Sequence, residues 1–253
     1  MAMVARRVRV LGTDFSDANV KRTRSRWRRR CGTVQRTLVI FAPATILGWL
    51  AMVQAVDALR GGVLLAANPS WPRAVEVVRE ILYGSFVLGA AVVLWTRRDS
   101  RARDGRGRVI AASLCASFLL VGAGFLPGGP VVWSASTGVF EIGLFVTVIG
   151  AILALVALAS LKSNFSIIPE TQSLVATGPY RWLRHPMYLA ELLMIVGLAL
   201  GGVRMTYLIG AVSVLGLQIY RIRVEERLLS TTFPTGYKEF VAHTRYRLIP
   251  LVW

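Results

Sequence analysis

Apolar residues in this chain fall into long unbroken runs, and that pattern leaves few folds open. A soluble domain of 253 residues interleaves polar and apolar positions, whereas runs of about 18 or more apolar residues read as helices that cross a bilayer. Six such runs are expected: roughly Leu38 to Leu59, Ile81 to Trp95, Val109 to Leu126, Gly138 to Leu161, Met187 to Leu200, and Met205 to Tyr220. The last two are short for straight spans. Gly201, Gly202, Val203 and Arg204 between them read as a tight turn closing an antiparallel helical hairpin. The hydrophobic share of 55% agrees, as does a mean hydropathy of +0.56. The expected fold class is all-α: a polytopic integral membrane bundle of about six helices that ends in this hairpin.

A net charge of +17 would suggest nucleic acid if it covered a soluble surface, but its distribution argues for topology instead. With the N-terminus placed in the cytoplasm, the N-terminal tail carries 11 Lys and Arg, the loop Arg97 to Arg108 carries 6, Lys162 to Arg184 carries 3, and Arg221 to Arg247 carries 6. Only Arg60, Arg73, Arg79 and Arg204 fall on the other side, a split of 26 against 4. That is the positive-inside pattern for six spans with both ends cytoplasmic. The run KRTRSRWRRR, Lys21 to Arg30, has a second expected role in attraction to anionic lipid headgroups, about 1 kcal/mol per basic residue near the surface. No folded recognition module accompanies it, so no nucleic-acid partner is expected.

No cleaved signal peptide is expected, because the basic tail is too long before the first apolar run. Cys31 and Cys115 are expected at different levels of the bilayer and so do not pair. The two histidines, His185 and His243, have no partner at ligand spacing, so no metal is expected. The chain divides into a basic, disordered tail (1–36), a transmembrane scaffold of four spans (37–162) and a C-terminal core (163–253). Glu141, near the start of span four, reads as a headgroup-level carboxylate. With no organelle address in the sequence, a prokaryotic plasma membrane is the expected location.

Chemistry collects in the core. In Thr177 to Tyr188, Gly178 and Pro179 signal a turn, and Pro186 suits the first position of the next helix, where its missing N–H costs nothing. His185 then lies at a helix N-terminus, where free N–H groups favour an anionic group, and Arg181 and Arg184 add charge beside it. The bland alternative is a basic helix end with Tyr180, Trp182 and Tyr188 in an interfacial aromatic belt. Span six runs into Arg221, Glu225 and Glu226. Arg221 and Glu225, four apart, share a helical face, while Glu226 points about 100° away. Carboxylates at a helix C-terminus oppose its dipole unless something is gained. Since the hairpin brings both ends to one cytoplasmic mouth, the two elements are expected to converge on one site.

These residues resemble the isoprenylcysteine carboxyl methyltransferase type of membrane methyltransferase, which is similar to phospholipid N-methyltransferases. The resemblance covers roughly Asn164 to Pro250. It rests on four ordered parts: LVATGPYRWLRHPMY, the short hairpin, RIRVEERLL, and the tail FPTGYKEFVAHTRYRLIP. It implies S-adenosylmethionine as methyl donor, with S-adenosylhomocysteine as product, at the cytoplasmic face. Carried over, Gln172, Ser173, Leu174, Val175, Tyr180, His185, Pro186, Met187 and Tyr188 would line the cofactor. Glu225 would complete that site, and Arg221 would face the methyl acceptor. Glu170 is a candidate for a further polar cofactor contact. The tail reads PTG where the family commonly has FG followed by acidic residues, which leaves that turn open.

Methyl transfer from a sulfonium chiefly requires alignment at near-attack distance and exclusion of water. A carboxylate acceptor is already ionised and needs no base; Arg221 would orient it through charge-assisted hydrogen bonds. An amine or thiol must lose a proton, to Glu225 or His185. Holding the cofactor and acting as a free base are hard to combine in Glu225, which favours a carboxylate. The acceptor is expected to be a lipophilic small molecule or lipid that enters from the bilayer. The alternatives are a phospholipid N-methyltransferase or small-thiol S-methyltransferase, and a non-enzymatic membrane scaffold.

Overall fold

The computed structural model describes residues 33–96, 102–123 and 129–249, so the basic tail Lys21 to Arg30 and Cys31 lie outside the described residues. Seven α-helices are found among them: α1 (Thr33–Ala67), α2 (Trp71–Thr96), α3 (Gly107–Ala123), α4 (Thr137–Leu161), α5 (Pro186–Leu200), α6 (Met205–Thr232) and α7 (Pro234–His243). The helices α1, α2, α4 and α6 are long and apolar enough to cross a membrane, and α3 and α5 are shorter apolar helices. These are the six expected runs. The protein is an all-α membrane bundle, with large apolar side chains such as Trp49, Leu59, Ile149, Ile152, Ile209 and Val212 on its outside, the arrangement that lipid solvates.

Two boundaries differ instructively from the apolar runs. Helix α2 begins ten residues before the expected Ile81 and so includes Glu76, Arg79 and Glu80. Arg79 contacts both carboxylates, and such pairing lowers the cost of holding charge in a helix at the membrane edge. Helix α6 continues past Tyr220 to Thr232. Arg221, Glu225 and Glu226 thus lie inside a continuous helix rather than at its end, and the expected conflict with the helix dipole does not arise.

The tightest packing joins α4 to α5, and small residues make it possible. A Cβ on Gly143 would lie 2.5 Å from the Gly197 carbonyl oxygen, and one on Gly150 would lie 2.9 Å from that of Ala190. Ala151, Ala154, Ala157 and Ala190 are wholly buried there. Close backbone approach of this kind drives helix association where lipid offers no hydrophobic gain. Helix α2 covers the other side of α4, α1 packs on α2, and α6 packs on α3. The hairpin pair α5 and α6 is antiparallel but comes together far less closely than α4 and α5. Polar side chains bridge its gap.

Two small antiparallel sheets fasten the connections. At one end β2 (Val131–Ser134) pairs with β4 (Gly202–Arg204), so the expected tight turn between α5 and α6 is also a strand. At the other end β1 (Ala102–Arg103) pairs with β3 (Glu170–Thr171), and the Asp104 amide donates to the Pro169 carbonyl at 3.2 Å. The Arg106 guanidinium, hydrogen-bonded to Asp104, holds that carboxyl below its usual range. This second sheet ties the α2–α3 connection to the segment leading from α4 into α5, at the mouth where His185 lies.

Candidate active site

A cavity of about 110 Å³ opens at that mouth. The segment between α4 and α5 forms one wall. Helix α4 ends at Lys162, whose left-handed backbone (φ 50°) turns the chain while its N–H caps the Leu158 carbonyl. Asn164 then organises the following strand: its Oδ1 accepts from the Ser173 amide at 3.0 Å and from the Ser173 hydroxyl at 2.9 Å. The Gln172 amide donates to the Ser163 carbonyl at 2.7 Å. Glu170, Gln172, Ser173, Leu174 and Val175 all line the cavity.

The chain re-enters the bundle through a 3₁₀ turn, Gly178–Arg181. Gly178 has φ of +59° and faces the Ser160 hydroxyl, leaving no room for a side chain. Tyr180 is buried behind this turn, and burial pushes its hydroxyl well above the usual range. Pro186 is the first residue of α5 and His185 its N-cap. Both were legible in the motif. Pro186, however, is packed away from the cavity, while Tyr180, His185, Met187 and Tyr188 line it.

The basic residues of the motif do not all serve the site in the expected way. Arg181 is exposed. Arg184 is engaged with the C-terminal tail: its Nε donates to the Thr244 carbonyl at 2.8 Å, Nη2 to the Arg245 carbonyl at 3.0 Å, and Nη1 to Glu226 Oε1 at 3.2 Å. Arg247 meets Glu226 from the other side at 3.0 Å. The amides of Arg184 and His185 complete the strap, donating to the Tyr246 and Arg247 carbonyls at 2.9 Å each. Glu226 is therefore the joint between helix α6, the start of α5 and the tail. Tyr237 on α7 has its hydroxyl raised above the usual range by burial and by Glu226. The PTG stretch, left open by the sequence, begins α7 with Pro234 at its first position. Gly236 lies against Leu174, and Phe240 closes the cavity.

Arg221 and Glu225 point into the space between α5 and α6, as their shared helical face requires. Glu225 Oε2 accepts from the Tyr188 hydroxyl at 2.9 Å and lies 3.7 Å from His185 Nδ1. His185 stacks on Tyr188, ring centres 5.6 Å apart. Arg221 is 4% exposed. Its Nη2 donates to the Ile167 carbonyl at 2.7 Å and its Nη1 to Gln218 Oε1 at 3.2 Å, and its guanidinium lies 5.0 Å from the centre of the Tyr188 ring. Among the described residues its Nε has no hydrogen-bond partner.

Sequence reasoning missed Glu191 and Gln218. Glu191 lines the cavity one turn beyond Tyr188, and its Oε2 accepts from the Gln218 amide. The signal was present: a lone carboxylate inside an apolar span is costly unless it is used. Ser117 on α3 and Leu229 on α6 also line the cavity and carried no such signal.

A helical membrane bundle with a cavity of buried charge and aromatic walls at one end defines an integral membrane protein with a candidate active site. Residues 139–236 match the family model described as phospholipid methyltransferase. That stretch holds every residue named in the cavity wall except Ser117 and Phe240, and the match agrees with the resemblance drawn from the motifs. Over that stretch, about two fifths of the chain, the protein is similar to this family of membrane methyltransferases. No curated protein matches it.

Proposed function

We propose that the protein transfers a methyl group from S-adenosylmethionine to a lipophilic acceptor at the membrane, and that this acceptor presents a carboxylate. The observation that carries the reading is Arg221: a buried guanidinium on the cavity wall, fixed by two hydrogen bonds and an aromatic face, with Nε unpartnered. An unpaired buried donor is costly, and an anionic oxygen would satisfy it with a charge-assisted bond.

The other residues fit the cofactor. Leu174, Val175, Tyr180 and Met187 supply an apolar and aromatic wall for an adenine ring, and the Gln172–Ser173 ribbon supplies polar groups for a ribose. Glu225 keeps Oε1 available for an ammonium, since Tyr188 takes Oε2. His185 stands beside it at the helix N-terminus, where a carboxylate is favoured. Pro186 contributes by starting α5 rather than by contact. Bound S-adenosylmethionine supplies a methyl that is already electrophilic, so the residues need only align the partners and exclude water.

One observation favours an amine or thiol acceptor instead: Glu191 is a further carboxylate in the cavity, next to Glu225, and can take a proton. Both ends of the chain are expected on the cytoplasmic side of a prokaryotic plasma membrane, with the basic tail on anionic lipid.

The test is calorimetric titration of S-adenosylmethionine and S-adenosylhomocysteine into the detergent-purified protein. Saturable binding that Glu225→Ala weakens about tenfold or more is expected. No binding by folded protein at millimolar ligand would favour the scaffold reading.

A further inference from the structure

Methyl transfer to a carboxylate gives no task to Glu191 or Gln218, yet Gln218 bonds Arg221 and Glu191 bonds Gln218. Glu191 on α5 accepts from the Gln218 side-chain NH2, and Gln218 Oε1 accepts from Arg221 Nη1. This chain of groups spans the gap between α5 and α6, the hairpin helices that make few close contacts of their own.

The two ends of a carboxamide have nearly the same shape, so a glutamine between two partners keeps one orientation only if the partners differ in kind. Here they do. A carboxylate can only accept, and a guanidinium can only donate. With Glu191 on one side, Gln218 must turn its NH2 toward α5 and its oxygen toward Arg221. Without a carboxylate at 191, the amide is free to flip and present NH2 to Arg221, where two donors face each other. The guanidinium would then lose one of the two hydrogen bonds that fix its plane against the Tyr188 ring.

We propose that Glu191 and Gln218 are positioning residues that lock the orientation of Arg221 and so set how the acceptor's anionic oxygen is held. This rests on the assignment of Arg221 to the acceptor. It explains why a carboxylate is kept inside an apolar helix and why its partner is an amide rather than a second charge: the amide passes on polarity across a distance that a direct ion pair would have to close.

The test uses the full-length protein in detergent and three variants: Glu191→Gln, the exchanged pair Glu191→Gln with Gln218→Glu, and Arg221→Lys. In the exchanged pair the amide now on α5 donates to the carboxylate now on α6, and that carboxylate accepts from Arg221, so charge and volume are kept while the acid changes helix. Two readouts are taken. The first is transfer of tritiated methyl from S-adenosylmethionine to two probes, a farnesyl thioether of N-acetylcysteine and a dispersed phosphatidylethanolamine. The second is the nitrogen-15 spectrum of the arginine side chains, in which the Arg221 Nε signal is the one lost in Arg221→Lys; it reports guanidinium rotation with no acceptor present.

For Glu191→Gln the expected result is a rise of about tenfold or more in KM for the carboxylate probe, unchanged S-adenosylmethionine affinity, and a motionally averaged Arg221 signal. The exchanged pair should restore both the KM and the slow-rotating signal. The proposal is overturned if Glu191→Gln leaves the Arg221 signal and KM as they were. It is also overturned if the exchanged pair stays as impaired as Glu191→Gln while transferring to neither probe, because the carboxylate is then needed at 191 itself, as a proton acceptor. Failure of the methyl-transfer reading shows separately, as absent cofactor binding in the unsubstituted protein, and the Arg221 signal still decides the lock.

Discussion

At the scale of single residues, the proposed division of labour between Arg221 and Glu225, one helical turn apart, can be tested directly. Arg221→Ala should spare S-adenosylmethionine affinity and lower turnover about a hundredfold, the cost of a lost charge-assisted bond to a buried group. Equal loss of cofactor affinity in Arg221→Ala and Glu225→Ala, read by calorimetry, would contradict it. Arg221→Lys should recover little, since an ammonium cannot supply three separately directed bonds in one plane. Arg184 makes a different prediction. Removing its side chain frees the Thr244 and Arg245 carbonyls and leaves Glu226 with Arg247 and His185. Arg184→Ala should therefore open the tail to trypsin after Arg245, with cleavage about tenfold faster than in the unsubstituted protein, before any change in helix content.

Among the elements, α4 decides where α5 lies. Gly197→Val would drive a branched side chain toward the Gly143 carbonyl, which a bare Cβ already approaches to 2.6 Å. Overpacking here should cost about 1–3 kcal/mol and lower the thermal midpoint in detergent; because α5 carries His185, Tyr188 and Glu191, cofactor affinity should fall with it. Gly216, with open space around it, is the control: Gly216→Ala should leave both unchanged. The helices and their order were legible because apolar run length maps directly onto span length, and the Gly-Pro turn and His-Pro helix start because their backbone constraints are local. The extension of α6 through Thr232 was not. Its polar second half is stabilised by α7, the tail and Arg184, contacts that come from distant parts of the chain. Glu191 was legible and overlooked. Its partner Gln218 was not legible, since one amide in an apolar helix carries no sign of what faces it.

Taken whole, the molecule brings the Asp104 turn, the segment from α4 into α5 and the C-terminal tail to one mouth, and the cavity lies there. Topology is open to direct test. A cysteine at Asn68, in the turn between α1 and α2, should react with an impermeant thiol reagent from the side opposite to a cysteine at Thr235, whose labelling should match that of a reporter at the N-terminus. Labelling of both cysteines from one side would break the arrangement. The strap formed by Thr244 to Arg247 has a further consequence, in time rather than in space. During synthesis, segments emerge and settle in order from the N-terminus. The apolar stretches of all six helices precede, in order of synthesis, the residues that fasten Arg184 and His185. Insertion can thus run ahead of maturation, and a nonsense codon just before Thr244 should yield a protein that is threaded in the bilayer with its mouth unfastened.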